Sequence, residues 1–348
     1  MDALRLVAAL AVLLFHFTAR DHSRWGEATH TAFPHLSVLT AYGYAGVHLF
    51  FVVSGFVVAL SARGRSVGHF LASRISRLYP AYWAAVLLTA ALRWAVPGLG
   101  EREPWHVLVN LTMFQDLVGV PRVDGVYWTL WVEWQFYLLL VVGIVVGLTR
   151  RRVLAAALWV PLVCTALVLL VPASAGVVTL LGYAPLFAAG VVLHVVHRDG
   201  PSARRWLLLA LTTAQAVLLA WVHQAPAIDR IATGHHVSRP VLAVVVLGCV
   251  LAVAATALVP AVRDVDLRVL TWLGTLTYPL YLTHEYVGWA LIGALHPLTG
   301  RWATLALATG VCLVLAWALH RLVERPFQRP FRAWLEQRLT TGGAPTPS

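Results

Sequence analysis

The sequence predicts an all-α integral membrane protein, a bundle of about ten transmembrane helices with both the N- and C-termini cytoplasmic. Three observations carry this. The 348 residues are 59% hydrophobic and only 12% charged, with a mean hydropathy of +0.75, whereas soluble domains carry roughly 25% charged residues. Apolar stretches of the roughly 20 residues that a bilayer crossing needs recur along the chain. All 26 basic residues are arginine, and they fall in short clusters between those stretches, as the positive-inside rule requires. A net charge of +11 would also suit a nucleic-acid binder, but this spacing favours a lipid bilayer as partner over nucleic acid.

The expected spans run 3–19, 43–62, 79–97, 127–148, 153–171, 176–197, 205–224, 239–261, 268–295 and 302–322. After Phe17 the chain continues Thr-Ala-Arg-Asp-His, without a small-x-small cleavage site, so the first span is expected to be retained. With the N-terminus inside, cytoplasmic connections and tail collect seventeen arginines and the outer loops seven, which sets the expected orientation in the plasma membrane. Residues 63–78 form a basic, amphipathic cytoplasmic connection. Within the outer loop 98–126, Trp105 to Leu117 is expected to be a short interfacial or re-entrant helix. Residues 1–325 form the transmembrane domain and 326–348 a cytoplasmic tail, disordered over its Gly/Pro/Thr-rich end from Thr340. Cys164, Cys249 and Cys312 sit inside apolar runs and suggest neither disulfide nor metal site.

Ionisable residues inside spans are costly, and they are the functional candidates. Arg5 and His16 are eleven positions apart, about 20° beyond three full helical turns, so they share a face about 16 Å apart. The bland alternative makes Arg5 a surface anchor and His16 a packing residue. The second span holds His48 and a Ser54-Gly55 step that permits close backbone approach. Arg74 and Arg77 lie one turn apart, suited to a phosphate clamp or to an anionic-lipid anchor. Tyr127 and Trp128 fit an outer aromatic belt, with Glu133 inside it and needing a partner. In the ninth span, Pro279 is expected to kink the helix. Tyr278, Tyr281 and His284 recur at three-residue spacing, and with Glu285 they suggest a lined cavity.

Taken in order, these segments resemble the membrane-bound acyltransferase 3 family of O-acyltransferases in its transmembrane-only form. The resemblance covers nearly the whole chain. It rests on Arg5 and His16 at the family's spacing, on Gly46 to Phe56, and on Arg74-x-x-Arg77 before Tyr79-Pro80. Trp128 to Tyr137, Tyr278 to His284 and Glu324-Arg325-Pro326 complete it. It implies transfer of an acyl group, commonly acetyl, from cytoplasmic acyl-CoA as co-substrate to a hydroxyl of a carbohydrate or glycosylated small molecule. His16 would be catalytic, with Arg5 its companion and Glu133 supplying charge. Arg74 and Arg77 would hold the CoA phosphates. His48, Ser54, Tyr127, Trp128, Tyr281, His284 and Glu285 would line the pore or the acceptor site. Many members carry an acid where this chain has His48, so Glu133 or Glu285 is expected to replace it. The acceptor could be a surface polysaccharide, a glycolipid, or a secreted metabolite such as a macrolide sugar. A multi-pass transporter of a lipid-linked or small-molecule substrate is the alternative, since buried polar residues also suit a translocation path.

Overall fold

The computed structural model describes residues 1–62, 64–173, 178–232, 234, 236–263 and 268–340. Arg63 and the tail residues 341–348, expected to be disordered, lie outside these. Helices dominate, and no strand occurs among the described residues. Seven stretches are long and apolar enough to cross a bilayer: Leu36–Ala59, Val67–Ala95, Gly125–Val146, Arg150–Leu170, Ala203–Asp229, Arg239–Leu258 and Arg301–Thr340. Three further helices stand at expected spans but do not join this set. Two are short, α1 (Asp2–Thr18, 17 residues) and the 16-residue helix Ala184–Asp199. The third, Thr277–Thr299, dilutes its apolar run with Thr277, Tyr278, Thr283, His284 and Glu285.

The remaining helices take labels in chain order: α2 (Gly46–Ala62), α3 (Val67–Ala95), α4 (Pro104–Asn110), α5 (Trp128–Val146) and α6 (Arg150–Leu170). After α7 (Ala184–Asp199) come α8 (Ala203–Leu219), α9 (Arg239–Leu258), α10 (Arg268–Thr275), α11 (Thr277–Thr299), α12 (Arg301–Leu319) and α13 (Arg325–Thr340).

Several boundaries shift from those expected. The basic connection after residue 66 is the first part of α3, capped by the Ser66 hydroxyl on the His69 amide. The ninth span is broken at Leu276 into α10 and α11. Pro279 therefore sits in the first turn of α11, where a missing N–H leaves no hydrogen bond unmade. It does not kink the helix. Residues Arg325–Thr340 continue α12 through a π-helical turn, His320–Glu324, and pack along α3. There Phe331 meets Trp83 at 5.7 Å between ring centroids.

Helix α2 crosses α7 closely. A Cβ on Gly55 would lie 2.1 Å from the Phe187 carbonyl oxygen, and one on Gly190 would lie 2.1 Å from that of Val52. Two glycines facing opposite backbones let these helices touch, the usual solution where lipid supplies no drive to associate.

The loop after α4 dips into the bundle. Tyr79 and Tyr82 donate to the carbonyls of Thr112 (2.7 Å) and Asn110 (2.6 Å), and the Trp83 indole donates to Leu111 (2.9 Å). Buried Met113, at φ +64°, turns the chain there and accepts from the Trp134 indole. Irregular backbone at this depth is tolerable only when its carbonyls are satisfied by protein. Three aromatic side chains from the middle of α3 do that. The helical part is shorter than Trp105–Leu117, ending at Asn110.

Candidate functional site

Two cavities meet inside the bundle. The larger, about 110 Å3, is lined by Arg5, Arg74 and Arg77 at its basic end and by Ser54, Glu133, Tyr278 and Tyr281 deeper in. The smaller, about 30 Å3, is lined by His16, Arg20, Tyr44, Trp128 and Tyr281. Tyr281 and Val47 line both, and so form the partition between them. Arg5 and His16 share a face of α1 as the spacing implies, yet they serve different cavities.

His16 is 6% exposed. Its Nδ1 lies 2.9 Å from the Val12 carbonyl and 3.0 Å from His284 Nε2. His284 Nδ1 in turn reaches the carbonyls of Leu280 (3.1 Å) and Tyr281 (3.0 Å). One tautomer set satisfies all of these contacts. His284 carries its proton on Nδ1 and accepts at Nε2, while His16 carries its proton on Nδ1. That leaves the lone pair of His16 on Nε2, which faces the Glu285 carboxylate at 3.6 Å. The Trp289 indole donates to the His16 carbonyl at 3.0 Å and pins the helix behind the ring.

Glu285 is fully buried and pairs with Arg20 at 2.7 Å. This is an ion-pair contact rather than an aligned hydrogen bond, since neither Glu285 oxygen has a partner of hydrogen-bond geometry. Arg20 also lies over the Trp289 ring at 5.2 Å. Against the other side of Glu285 stand Gly125, where a Cβ would come within 2.6 Å of the carboxylate, and buried Asp124. Burial first, then the nearby Glu285 charge, pushes the Asp124 carboxyl well above its ordinary range. Asp124 is therefore held protonated beside Glu285.

Glu133 belongs to the other cavity. The Ser54 hydroxyl donates to Oε1 at 2.9 Å, and the Tyr137 hydroxyl donates to the same oxygen. Arg74, 8% exposed, contacts the Ser73 hydroxyl and lies over the Tyr137 ring at 5.9 Å, while its Nε is buried without a partner. Tyr281 is held by the Thr129 hydroxyl at 2.8 Å. Trp128 packs between Tyr44 and Tyr183, whose hydroxyls bond to each other at 2.7 Å. Two expected lining residues lie elsewhere. His48 is fully buried, its Nε2 bonded to the Gln224 side chain. Tyr127 is buried edge-on against Tyr82, 4.9 Å away.

The structure thus brings together His16, His284, Glu285 and Tyr281, and separately Arg5, Arg74, Arg77, Ser54 and Glu133. Arg20 and Asp124 were not singled out. Arg20 lies in the segment expected to be an outer loop, two residues past the end of α1 at Thr18, so no helical spacing points to it. Asp124 approaches Glu285 only through the tertiary fold. Among the described residues no cluster has the donors for a metal ion.

Residues 1–321 match a family model described as an acyltransferase domain. MdmB, an acyltransferase of Streptomyces mycarofaciens, is 28% identical over an alignment covering all of this chain and 95% of its own. ExoZ of Rhizobium meliloti, an exopolysaccharide production protein, is 29% identical, with 86% of this chain and 93% of that one covered. No solved structure matches the chain. These matches give the transporter reading no support. With the family model spanning nearly its full length, the chain belongs to the acyltransferase 3 family.

Proposed function

We propose that the protein is a plasma-membrane O-acyltransferase that takes an acyl group, acetyl in the simplest case, from cytoplasmic acyl-CoA and places it on a sugar hydroxyl. The supporting observation is the pair of cavities that share Tyr281 and Val47. One offers arginines for phosphates. The other offers a histidine with an acid beside it. A CoA molecule on Arg5, Arg74 and Arg77 would extend its pantetheine arm past Ser54 and Glu133 and present the thioester at Tyr281. Guanidinium groups suit this role because they bind phosphate oxygens in pairs.

The acceptor hydroxyl enters the smaller cavity and gives its proton to His16 Nε2. Its oxygen attacks the thioester carbonyl, the C–S bond breaks, and the proton passes from the imidazolium to the leaving thiolate. Positioned general-base catalysis of this kind contributes about 100- to 10,000-fold. Glu285 stabilises the imidazolium, and the Tyr281 hydroxyl and Arg20 are the donors at hand for the developing oxyanion. ExoZ, named for exopolysaccharide production, favours a carbohydrate acceptor such as a surface glycan or a glycosylated metabolite.

The test uses inside-out vesicles with labelled acetyl-CoA, and mass spectrometry of surface glycans and extracted metabolites from cells with and without the gene. His16→Ala should abolish acceptor labelling. Equal labelling by wild type and His16→Ala would remove His16 from the chemistry.

A further inference from the structure

Helices α5 and α6 are consecutive and joined by only three residues, Gly147 to Thr149. Helices so joined normally pack against each other. These do not; α6 leans instead on α7 and α8. The splay leaves a groove of about 380 Å3 between α5, α6 and α7, within the range of about 300–1,000 Å3 for small-molecule sites. Its walls are almost wholly apolar, among them Leu139, Val142, Val160, Pro161 and Ala188, and it ends on one charged residue, Arg152. Arg152 is occupied in capping α5, donating to the carbonyls of Val146 and Gly147.

At that end the groove adjoins a second, smaller cavity of about 40 Å3, with Leu140, Leu148, Val153 and Val191 common to both. The small cavity is polar where the groove is not. Arg150, Arg198 and His194 line it. Arg198 is engaged by Asp199 through two contacts of 2.6 Å. Arg150 is exposed and has no hydrogen-bond partner among the described residues. His194 is 4% exposed, and its buried Nδ1 has no partner. A buried imidazole nitrogen without a partner is costly, and His194 lines a cavity that a ligand oxygen can enter.

We propose that this composite groove binds one anionic phospholipid of the surrounding bilayer, an acyl chain lying between α5, α6 and α7 and the headgroup phosphate resting on Arg150 and His194. A one-chain apolar slot ending at a cationic, hydrogen-bonding pocket has the polarity order of such a lipid, read from bilayer interior to surface. The groove shares no lining residue with the cavity that holds Arg74 and Arg77. Between them stands a stack of Phe51, Phe187 and Phe136, with centroids 4.7 and 4.3 Å apart. The site is therefore separate from the proposed donor passage.

The test is native mass spectrometry of the detergent-purified full chain after exchange into micelles containing phosphatidylglycerol or phosphatidylcholine. Wild type should retain one phosphatidylglycerol and no phosphatidylcholine. Arg150→Glu, which changes an exposed charge, should cut retention at least tenfold, and Ala188→Phe, which fills the groove, should do the same. Circular dichroism and size-exclusion profiles check that each variant is folded. Equal retention of both lipids would reduce the groove to ordinary annular contact and overturn the proposal. So would retention unaffected by Arg150→Glu in a folded variant, or a co-purified polyprenyl phosphate in place of a phospholipid.

Discussion

His284 Nε2 lies 3.0 Å from His16 Nδ1, so the ring expected to do the chemistry is oriented by a second histidine rather than by a carboxylate. Because His284 is itself fixed by the Leu280 and Tyr281 carbonyls, its Nε2 can only accept. It therefore holds His16 in the tautomer whose basic nitrogen, Nε2, lies beside Glu285. His284→Ala should lower kcat by about 100-fold, within the span of general-base contributions, with the KM for acetyl-CoA little changed. Steady-state kinetics in vesicles check it, and a KM rise with kcat preserved would place His284 in donor binding instead.

The Arg20–Glu285 pair makes a second expectation. Glu285→Gln leaves Arg20 facing His16 without its counter-charge, and removing one partner of a buried pair costs about 3–5 kcal/mol. Arg20 retains 27% of its side-chain exposure, which places the effect at the lower end. The double variant Arg20→Met/Glu285→Met should unfold later on heating than Glu285→Gln alone, yet remain inactive. Thermal unfolding in detergent separates these outcomes. A double variant no more stable than the single one would show that the two charges are not coupled.

Much of this site was legible in the sequence, for a definite reason. Lipid penalises every ionisable group, so Arg5, His16, Glu133, His284 and Glu285 stood out from their apolar surroundings without any structure. Helical spacing also put Arg5 and His16 on one face. What the sequence left open was the partner of each. Glu133 and Glu285 were equal candidates to replace the acid that many family members carry where this chain has His48. The structure gives Glu285 to His16, and Glu133 to Ser54 and Tyr137. Asp124 and the His48–Gln224 contact join residues far apart in the chain, which no local pattern encodes. The α10–α11 break at Leu276 falls among Gly274, Thr275, Thr277 and Pro279, residue types that membrane helices also carry in their interiors, so none of them marked it.

Gly55 and Gly190 should each be intolerant of a methyl group. Elsewhere in a helix, glycine to alanine gains up to about 1 kcal/mol. At these two positions the added carbon would lie 2.1 Å from a backbone oxygen that cannot move aside, and overpacking typically costs about 1–3 kcal/mol or more. Gly248 and Gly310 have nothing within 4 Å of the added carbon, and they serve as controls. Gly55→Ala and Gly190→Ala should lower the unfolding temperature, while Gly248→Ala and Gly310→Ala hold or raise it. Uniform behaviour of all four would refute the close crossing of α2 and α7.

His22, in the segment after α1, gives a pH-dependent expectation. Burial lowers its pKa from 6.5 to about 4, against a partly opposing backbone hydrogen bond. The folded state thus holds His22 neutral where the unfolded chain would protonate it. A depressed histidine pKa contributes stability that is complete above pH 6.5 and lost as pH falls toward 4. The shift corresponds to about 3 kcal/mol at most. His22→Phe keeps the packing on Trp289, 5.2 Å away, and should flatten the fall in unfolding temperature between pH 6.5 and 4. An unchanged acid profile would assign the lability to other groups.

Arg74 and Arg77 provide the sharpest test of the donor assignment. Arg74 is buried with one nitrogen unpartnered, and Arg77 lines the same cavity. Removing either from a phosphate clamp subtracts a charge-assisted hydrogen bond, worth about 1.5–3 kcal/mol, or roughly 10- to 150-fold in affinity. Arg77→Ala should therefore raise the KM for acetyl-CoA by about that factor while leaving the choice among acceptors unchanged. Arg77→Lys should recover only part of it, because an ammonium cannot grip two phosphate oxygens at once. Had these arginines only anchored the chain to anionic lipid, the same substitutions would leave the KM unchanged, and kinetics across vesicles of different lipid charge would reveal it.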